Sequence, residues 1–261
     1  RVRRMKETYI RDIEKPELKN PVLIEGLPGM GMVGRITTRF LIKELAAKRF
    51  AELYSPHFPY YVLVNKKGSV RLLRVEFFFW KNATGEGDLI FLTGDSQAQT
   101  IEGQYDVADR ILEFAAKLRV KAIITIGGYR KETDEAPRVV AVSTSQALLE
   151  KASKGDAVAS QAGNPIVGTA GLLLGLAKFR KIDALCLLGE TRGYLHDPVA
   201  AKGVLQVLQK MLRLQIDLKG LDIQIEKSKE IAGRMREIEE RRERYAQKMR
   251  KTEEGRITYI S

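Results

Sequence analysis

The chain has 261 residues, 44% of them hydrophobic and 30% charged, with a formal net charge of +12. That length carries one large α/β domain or a domain with an appendage, and the apolar share can bury a sizeable core. No apolar run approaches the roughly 18–20 residues of a membrane-spanning helix, and the basic start "RVRRMKETYI" lacks the apolar region of a secretory signal, which argues against both a membrane protein and a secreted one.

In chain order, "PVLIEGL" (21–27) reads as a buried strand. The run 35–50, "RITTRFLIKELAAKRF", places Ile36, Phe40, Leu41, Leu45 and Phe50 near helical spacing. Residues 60–82 predict a β-hairpin with its turn near Lys66-Lys67-Gly68, and 88–97 predict a strand ending at Gly94-Asp95. Residues 104–119 form a clear amphipathic pattern, with Val107, Ile111, Phe114 and Leu118 on one helical face. A strand (120–129), a strand (138–144), a short helix (145–152), a helix (164–181), a strand (182–191) and a helix (198–214) follow, the last with Pro198 in its first turn.

Alternating strands and helices predict an α/β fold with a largely parallel sheet flanked by helices. The predicted strands end at Gly26, Gly94, Gly127/Gly128 and Gly189. In such folds ligands lie beyond the carboxyl ends of the strands, so a crevice is expected there.

The pattern changes from about 221, dividing the chain into an α/β domain (1–220) and a charged helical arm with a tail (221–261). In the arm, Ile231, Met235, Ile238, Tyr245 and Met249 follow a 4-3-7-4 spacing, a heptad seam interrupted at Arg242. A helix over 222–252 would be roughly 45 Å long at 1.5 Å per residue. The seam is too narrow for a core helix, and the expectation is a projecting arm that packs on another subunit or partner.

Between the first strand and helix lies Gly29-Met30-Gly31-Met32-Val33-Gly34, a G-x-G-x-x-G. Glycines in this context allow a tight turn and close approach of a pyrophosphate to a helix N-terminus, so Gly29, Gly31 and Gly34 are the candidates for nucleotide binding. The acid expected about 20 residues on is represented by Glu52, but "RFAELYSPHFPYY" does not read as a clean strand ending there. The apolar "LPGMGM" favours the other reading: the loop turns a strand into a helix and presents Pro28, Met30 and Met32 to a neighbouring subunit.

Catalytic constellations are thin. His57 lies in the proline-flanked "SPHFP". Glu190, His196 and Asp197 can be written as acid–base groups after a strand end, but Asp197 before Pro198 reads more simply as a helix cap. No zinc, calcium or nucleophile-elbow spacing occurs, so no metal, cofactor or catalytic residue is expected. Cys186 in "IDALCLL" reads as a buried, inert thiol, and a single cysteine suits a reducing cytoplasm. The positive charge is interleaved with Glu beyond Arg1, Arg3, Arg4 and Lys6, so it reads as a solvated surface rather than a nucleic-acid arm; it would equally attract an acidic protein surface.

Four blocks together, "LIEGLPGMGMVGRI", "LIFLTGDSQ", "NPIVGTAGLLLGLAK" and "LCLLGETRGYLHDPVAAKGVLQVL", resemble the archaeal proteasome assembly chaperone family, related to the second subunit of the eukaryotic assembly chaperone. The resemblance spans roughly 20–220, with the blocks in the family's order. It implies a fold similar to nucleoside phosphorylases without an established catalytic role, homo-oligomers, complexes with related partners, and docking of a C-terminal tail on the proteasome α-ring. The family's tail reads hydrophobic–tyrosine–any residue at the very end; this chain ends Thr258-Tyr259-Ile260-Ser261, with Tyr259 third from last rather than second and Thr258 only half apolar, and Ile257, Tyr259, Ile260 and Ser261 are the candidate docking residues. That register would displace the carboxylate by about 3.5 Å, so a related paralogue is expected as partner beside, or in place of, proteasome α-subunits.

Overall fold

A computed structural model describes residues 6–83, 86–131, 137–193 and 195–254. The chain divides into two compact units, Arg1–Leu218 and Lys219–Ser261.

The strands are β1 (Tyr9–Asp12), β2 (Val22–Glu25), β3 (Lys48–Tyr54), β4 (Val62–Val64), β5 (Val70–Leu72), β6 (Val75–Trp80), β7 (Leu89–Gly94), β8 (Ala122–Arg130), β9 (Val139–Ser143), β10 (Val158–Ala159) and β11 (Asp183–Thr191). The helices of the first unit are α1 (Val33–Glu44), α2 (Ile101–Lys117), α3 (Gln146–Lys154), α4 (Thr169–Ala177) and α5 (Pro198–Leu212). Among the described residues a nine-stranded sheet runs β1-β3-β6-β7-β2-β8-β11-β9-β10, with β4 and β5 forming a separate ribbon.

The sheet is mixed, which corrects the largely parallel expectation. Parallel pairs join β2 to β7, β2 to β8, β8 to β11 and β9 to β10. Antiparallel pairs join β1 to β3, β3 to β6, β6 to β7 and β9 to β11, so the two kinds are evenly divided. For β7, antiparallel to β6, and for β9, which turns back from β8, the physical reason is connection length. A parallel pair needs a crossover of about a dozen residues or more, and the short links before β7 and β9 lack that reach.

The predicted helix over 35–50 is two elements. Helix α1 stops at Glu44, Ala46 takes a left-handed φ of 49°, and the chain continues extended as β3. Phe50 therefore lies on a strand, where it stacks on Phe114 of α2 at 5.9 Å. Glu52 lies inside the same strand, and 53–54 continue it. Helix 164–181 begins only at Thr169, and β8 and β11 run on past their glycines to Arg130 and Thr191. The hairpin at 60–82 is the ribbon β4–β5 with its turn at 65–69, while β6 leaves it to join the main sheet.

Helices α2 and α4 pack together on one face of the sheet, and α1, α3 and α5 on the other. The core on the α2/α4 side is built from Leu23, Ile123, Cys186 and Leu188 of the sheet with Val107, Ile111 and Leu173 of the helices. Helix α2 forms where the 3.6-residue apolar period meets a Thr100 cap, whose hydroxyl accepts from the Gly103 N–H at 3.1 Å. Helix α5 starts at Pro198, and the Asp197 carboxylate accepts from the Ala200 N–H at 2.9 Å.

The second unit carries α6 (Lys219–Glu254), a 36-residue helix about 54 Å long at 1.5 Å per residue. No helix among the described residues is long and apolar enough to cross a membrane.

Candidate functional site

Strands β7, β2, β8 and β11 run parallel, so their carboxyl ends open on one side of the sheet. The loops leaving them hold the glycine motif, the Gln97 segment and the 192–197 segment. This is where an open α/β sheet places ligands.

The glycine loop is a compact turn. Residues Met30–Met32 make one turn of 3-10 helix, with Gly31 at φ 59° and Met32 at φ 54°, and α1 begins at Val33. The Gly31 carbonyl accepts from the Asp197 N–H at 2.8 Å. A Cβ on Gly31 would lie 2.7 Å from the Thr191 hydroxyl and 3.3 Å from Asp197 Cβ. A Cβ on Gly34 would lie 2.4 Å from the Ile126 carbonyl, so the bare glycine is what lets α1 approach β8. Two of the three motif glycines thus face other parts of the protein at contact distance, where a dinucleotide would need open space. Gly29 is exposed and extended.

Two carboxylates lie beside the loop, Asp197 and Glu190. The Asp197 carboxylate caps α5 and accepts from the Thr191 hydroxyl at 2.7 Å. Glu190, 3% exposed, accepts from the Arg138 N–H at 3.0 Å and from the Lys131 ammonium at 3.3 Å. Burial alone would raise the Glu190 carboxyl, but the Arg138 backbone and side chain and Lys131 hold it below the usual range. It is an ionised structural anchor rather than a proton donor. Glu52 lies on β3, separated from β2 by β6 and β7. It is ion-paired with Arg11, with Arg49 at 3.2 Å and with Arg74 at 2.9 Å, which is not the place of a ribose-binding acid.

A neutral polar network ties the loops together. Gln97 donates from Nε2 to the Pro28 carbonyl at 2.7 Å, and its Oε1 accepts from the Thr169 N–H at 3.0 Å. Gln104 donates to the Ala98 carbonyl at 2.6 Å, and the Thr169 hydroxyl lies 2.9 Å from Gln104 Oε1. Sequence reasoning missed this network; its one signal was the Gln97 segment directly after an apolar strand.

Glu25 ends β2, is 1% exposed, and accepts from the Leu27 N–H at 3.0 Å. Its other carboxylate oxygen has no hydrogen-bond partner among the described residues. Burial raises this carboxyl to about 7, against backbone hydrogen bonds from Leu27 and Ile126. Cross-strand register aligns Glu25 with Thr125, and Thr125 with Cys186. Cys186 is fully buried, and burial pushes its thiol up to about 12.

Met30 is exposed and Pro28 and Met32 are half-buried, so the loop does offer apolar surface at its tip. On α6, Ile231, Met235, Ile238 and Tyr245 are all exposed, which leaves the heptad seam uncovered. Met249 lies within α6. Ile257, Tyr259, Ile260 and Ser261 lie outside the described residues. Among the described residues no group of three or more His, Cys, Asp or Glu side chains is placed to hold a metal ion.

Comparison with known proteins gives one consistent result. A model of the PAC2 family matches residues 23–238. An uncharacterized protein of Methanocaldococcus jannaschii is 33% identical over 252 residues, covering 96% of this chain and 95% of that protein. The crystal structure of Pyrococcus furiosus PbaB, described as an archaeal proteasome activator, superposes with a TM-score of 0.83 at 42% identity, covering 90% of this chain and 100% of PbaB. That of P. furiosus PbaA, described as an archaeal homolog of proteasome-assembly chaperone, superposes with a TM-score of 0.72 at 26% identity, covering 97% and 100%.

Proposed function

The chain belongs to the PAC2 family, and from that premise we propose that it is a non-enzymatic chaperone or scaffold that assists assembly of the proteasome or a related complex in the cytoplasm. It acts as a homo-oligomer, and its partners are proteasome α-subunits, a related paralogue, or both. The similarity to PbaB and PbaA over nearly the whole chain supports the partner class.

The observation that carries the reading is the uncovered seam of α6. Ile231, Met235, Ile238 and Tyr245 are exposed along one heptad stripe of a 36-residue helix. A stripe of this kind is stabilised by burial against a second helix. We therefore assign α6 as the arm that holds subunits or partners, with Met249 at the next position of the heptad spacing and the tail residues Ile257, Tyr259, Ile260 and Ser261 as the docking end. The tip of the glycine loop, Pro28, Met30 and Met32, serves as a secondary subunit contact.

The test is native mass spectrometry of the full-length protein, alone and mixed with proteasome α-subunits. A defined homo-oligomer that captures α-subunits, and loses them when 222–261 is removed, is the expected result. A bare monomer that captures nothing overturns the reading.

A further inference from the structure

Over the ends of β6 and β7, beside α1, six arginines meet three carboxylates. Arg71 clamps Asp95 through two parallel bonds, Nη1 to Oδ2 at 2.6 Å and Nη2 to Oδ1 at 2.9 Å. Arg74 reaches Glu52 at 2.9 Å and Glu76 at 2.8 Å. Arg49 reaches Glu76 at 2.6 Å, and Arg11 pairs with Glu52. The three carboxylates are thereby taken up by Arg11, Arg49, Arg71 and Arg74. Arg35 and Arg39 are left over, and among the described residues neither guanidinium makes a hydrogen bond or ion pair.

Arg35 is an unfavourable place for an unpaired cation on three counts. It is half-buried. It lies in the first turn of α1, which carries no acidic residue, and the helix dipole disfavours positive charge there. It also stands on one helical face with Arg39, four residues on. Burial pulls its guanidinium down from the ordinary value; Arg39 and Arg71 add to this, while Asp95 and Glu76 act against it. The cluster is short of negative charge at this point, and an arginine fork matches a carboxylate in plane and spacing.

The spacing of the two arginines indicates what carries the missing charge. Arg35 and Arg39 stand one helical turn apart on α1, so satisfying both takes more than one carboxylate, which a run of acidic residues along a polypeptide supplies and a single small anion does not.

We propose that Arg35 and Arg39, backed by Arg71, form a binding site for the carboxylates of an acidic segment of a partner protein. This deepens the scaffold reading and rests on it for the choice of a protein partner.

The experiment is an anisotropy titration of the full-length protein with a labelled octaglutamate peptide, with octaglutamine as the neutral control and inorganic phosphate as competitor. No proteasome subunit is present, so failure here leaves the assembly reading standing, and failure of that reading removes the choice of a protein partner while octaglutamate binding still reports on the arginine site. Octaglutamate is expected to bind and octaglutamine not to. The double variant Arg35→Gln/Arg39→Gln is expected to bind octaglutamate about tenfold or more weakly, the loss of at least one charged bond. Lys178→Gln/Lys181→Gln, with the same charge change just after α4, is expected to bind like the parent. Equal weakening in both double variants, or a site that takes phosphate but not octaglutamate, overturns the proposal. Arg35→Gln alone is expected to melt no lower than the parent, since Arg35 has no partner to lose; a clear fall in Tm assigns it a structural role and also overturns the proposal.

Discussion

The carbonyl of Gly31 accepts a hydrogen bond from the backbone N–H of Asp197 at 2.8 Å. The loop after β2 and the loop after β11 are thereby joined, and the space over Gly31 is filled by Thr191 and Asp197. A loop built this way holds the start of α1 against the start of α5.

Gly31→Val places a β-branched residue at φ 59° with its Cβ 2.7 Å from the Thr191 hydroxyl. Left-handed backbone and crowding each cost on the order of 1–3 kcal/mol. Urea unfolding is expected to show a loss of that size or larger. ATP or NAD added to the parent protein is expected to leave Tm unchanged; a rise that Gly31→Val abolishes would return this loop to phosphate binding.

Gly34→Ala and Gly175→Ala are expected to act in opposite directions. At Gly34 the new Cβ meets the Ile126 carbonyl at 2.4 Å, a backbone atom that cannot rotate away, so α1 must lift from β8. At Gly175 in α4 nothing lies within 4 Å, and alanine in a helix gains about 0.5–1 kcal/mol over glycine. Thermal melts of the two variants decide this directly. A neutral Gly34→Ala contradicts the close packing of α1 on β8.

Glu25 predicts a pH dependence with a definite sign. Its carboxyl is raised from 4.5 in the unfolded chain to about 7 in the fold, so the folded state holds the proton more tightly. Stability is therefore full below about 4.5, falls as pH rises toward about 7, and is flat beyond, a loss approaching roughly 3 kcal/mol. Glu52 and Glu190 are shifted downward, so their contributions are present above 4.5 and lost only as pH falls through their lower folded values. The window between about 4.5 and 7 is thus Glu25's own among these three. Glu25→Gln is expected to flatten the slope of unfolding free energy across it; an unchanged slope contradicts the assignment.

Gln97 joins residues far apart in the chain, so its removal tests the loop network. Gln97→Ala leaves the Pro28 carbonyl and the Thr169 backbone N–H short of partners and leaves the buried Thr169 hydroxyl only Gln104, at a cost of about 1–3 kcal/mol. Combined with Thr169→Val, the loss is expected to be less than the sum, because each single change already breaks the shared bond. Strict additivity in chemical denaturation contradicts the coupling.

The amino-acid order by itself determined the elements whose signals are local. Helix α2 follows from its 3.6-residue apolar period, α5 from an aspartate cap before a proline, and β11 from an uninterrupted apolar run. The family resemblance was legible for the same reason, in four short blocks read along the chain. The tertiary structure decided which strands are neighbours, that β3 and β6 run antiparallel, and that Phe50 and Glu52 lie on a strand. It also decided that Gly34 faces a carbonyl ninety-two residues away, that Gln97 reaches Thr169, and that Arg35 is left without a carboxylate. Periodicity tells a side chain which face it occupies. Its partner across the sheet is set by backbone pairing between distant segments, and short-range pattern carries no record of that pairing.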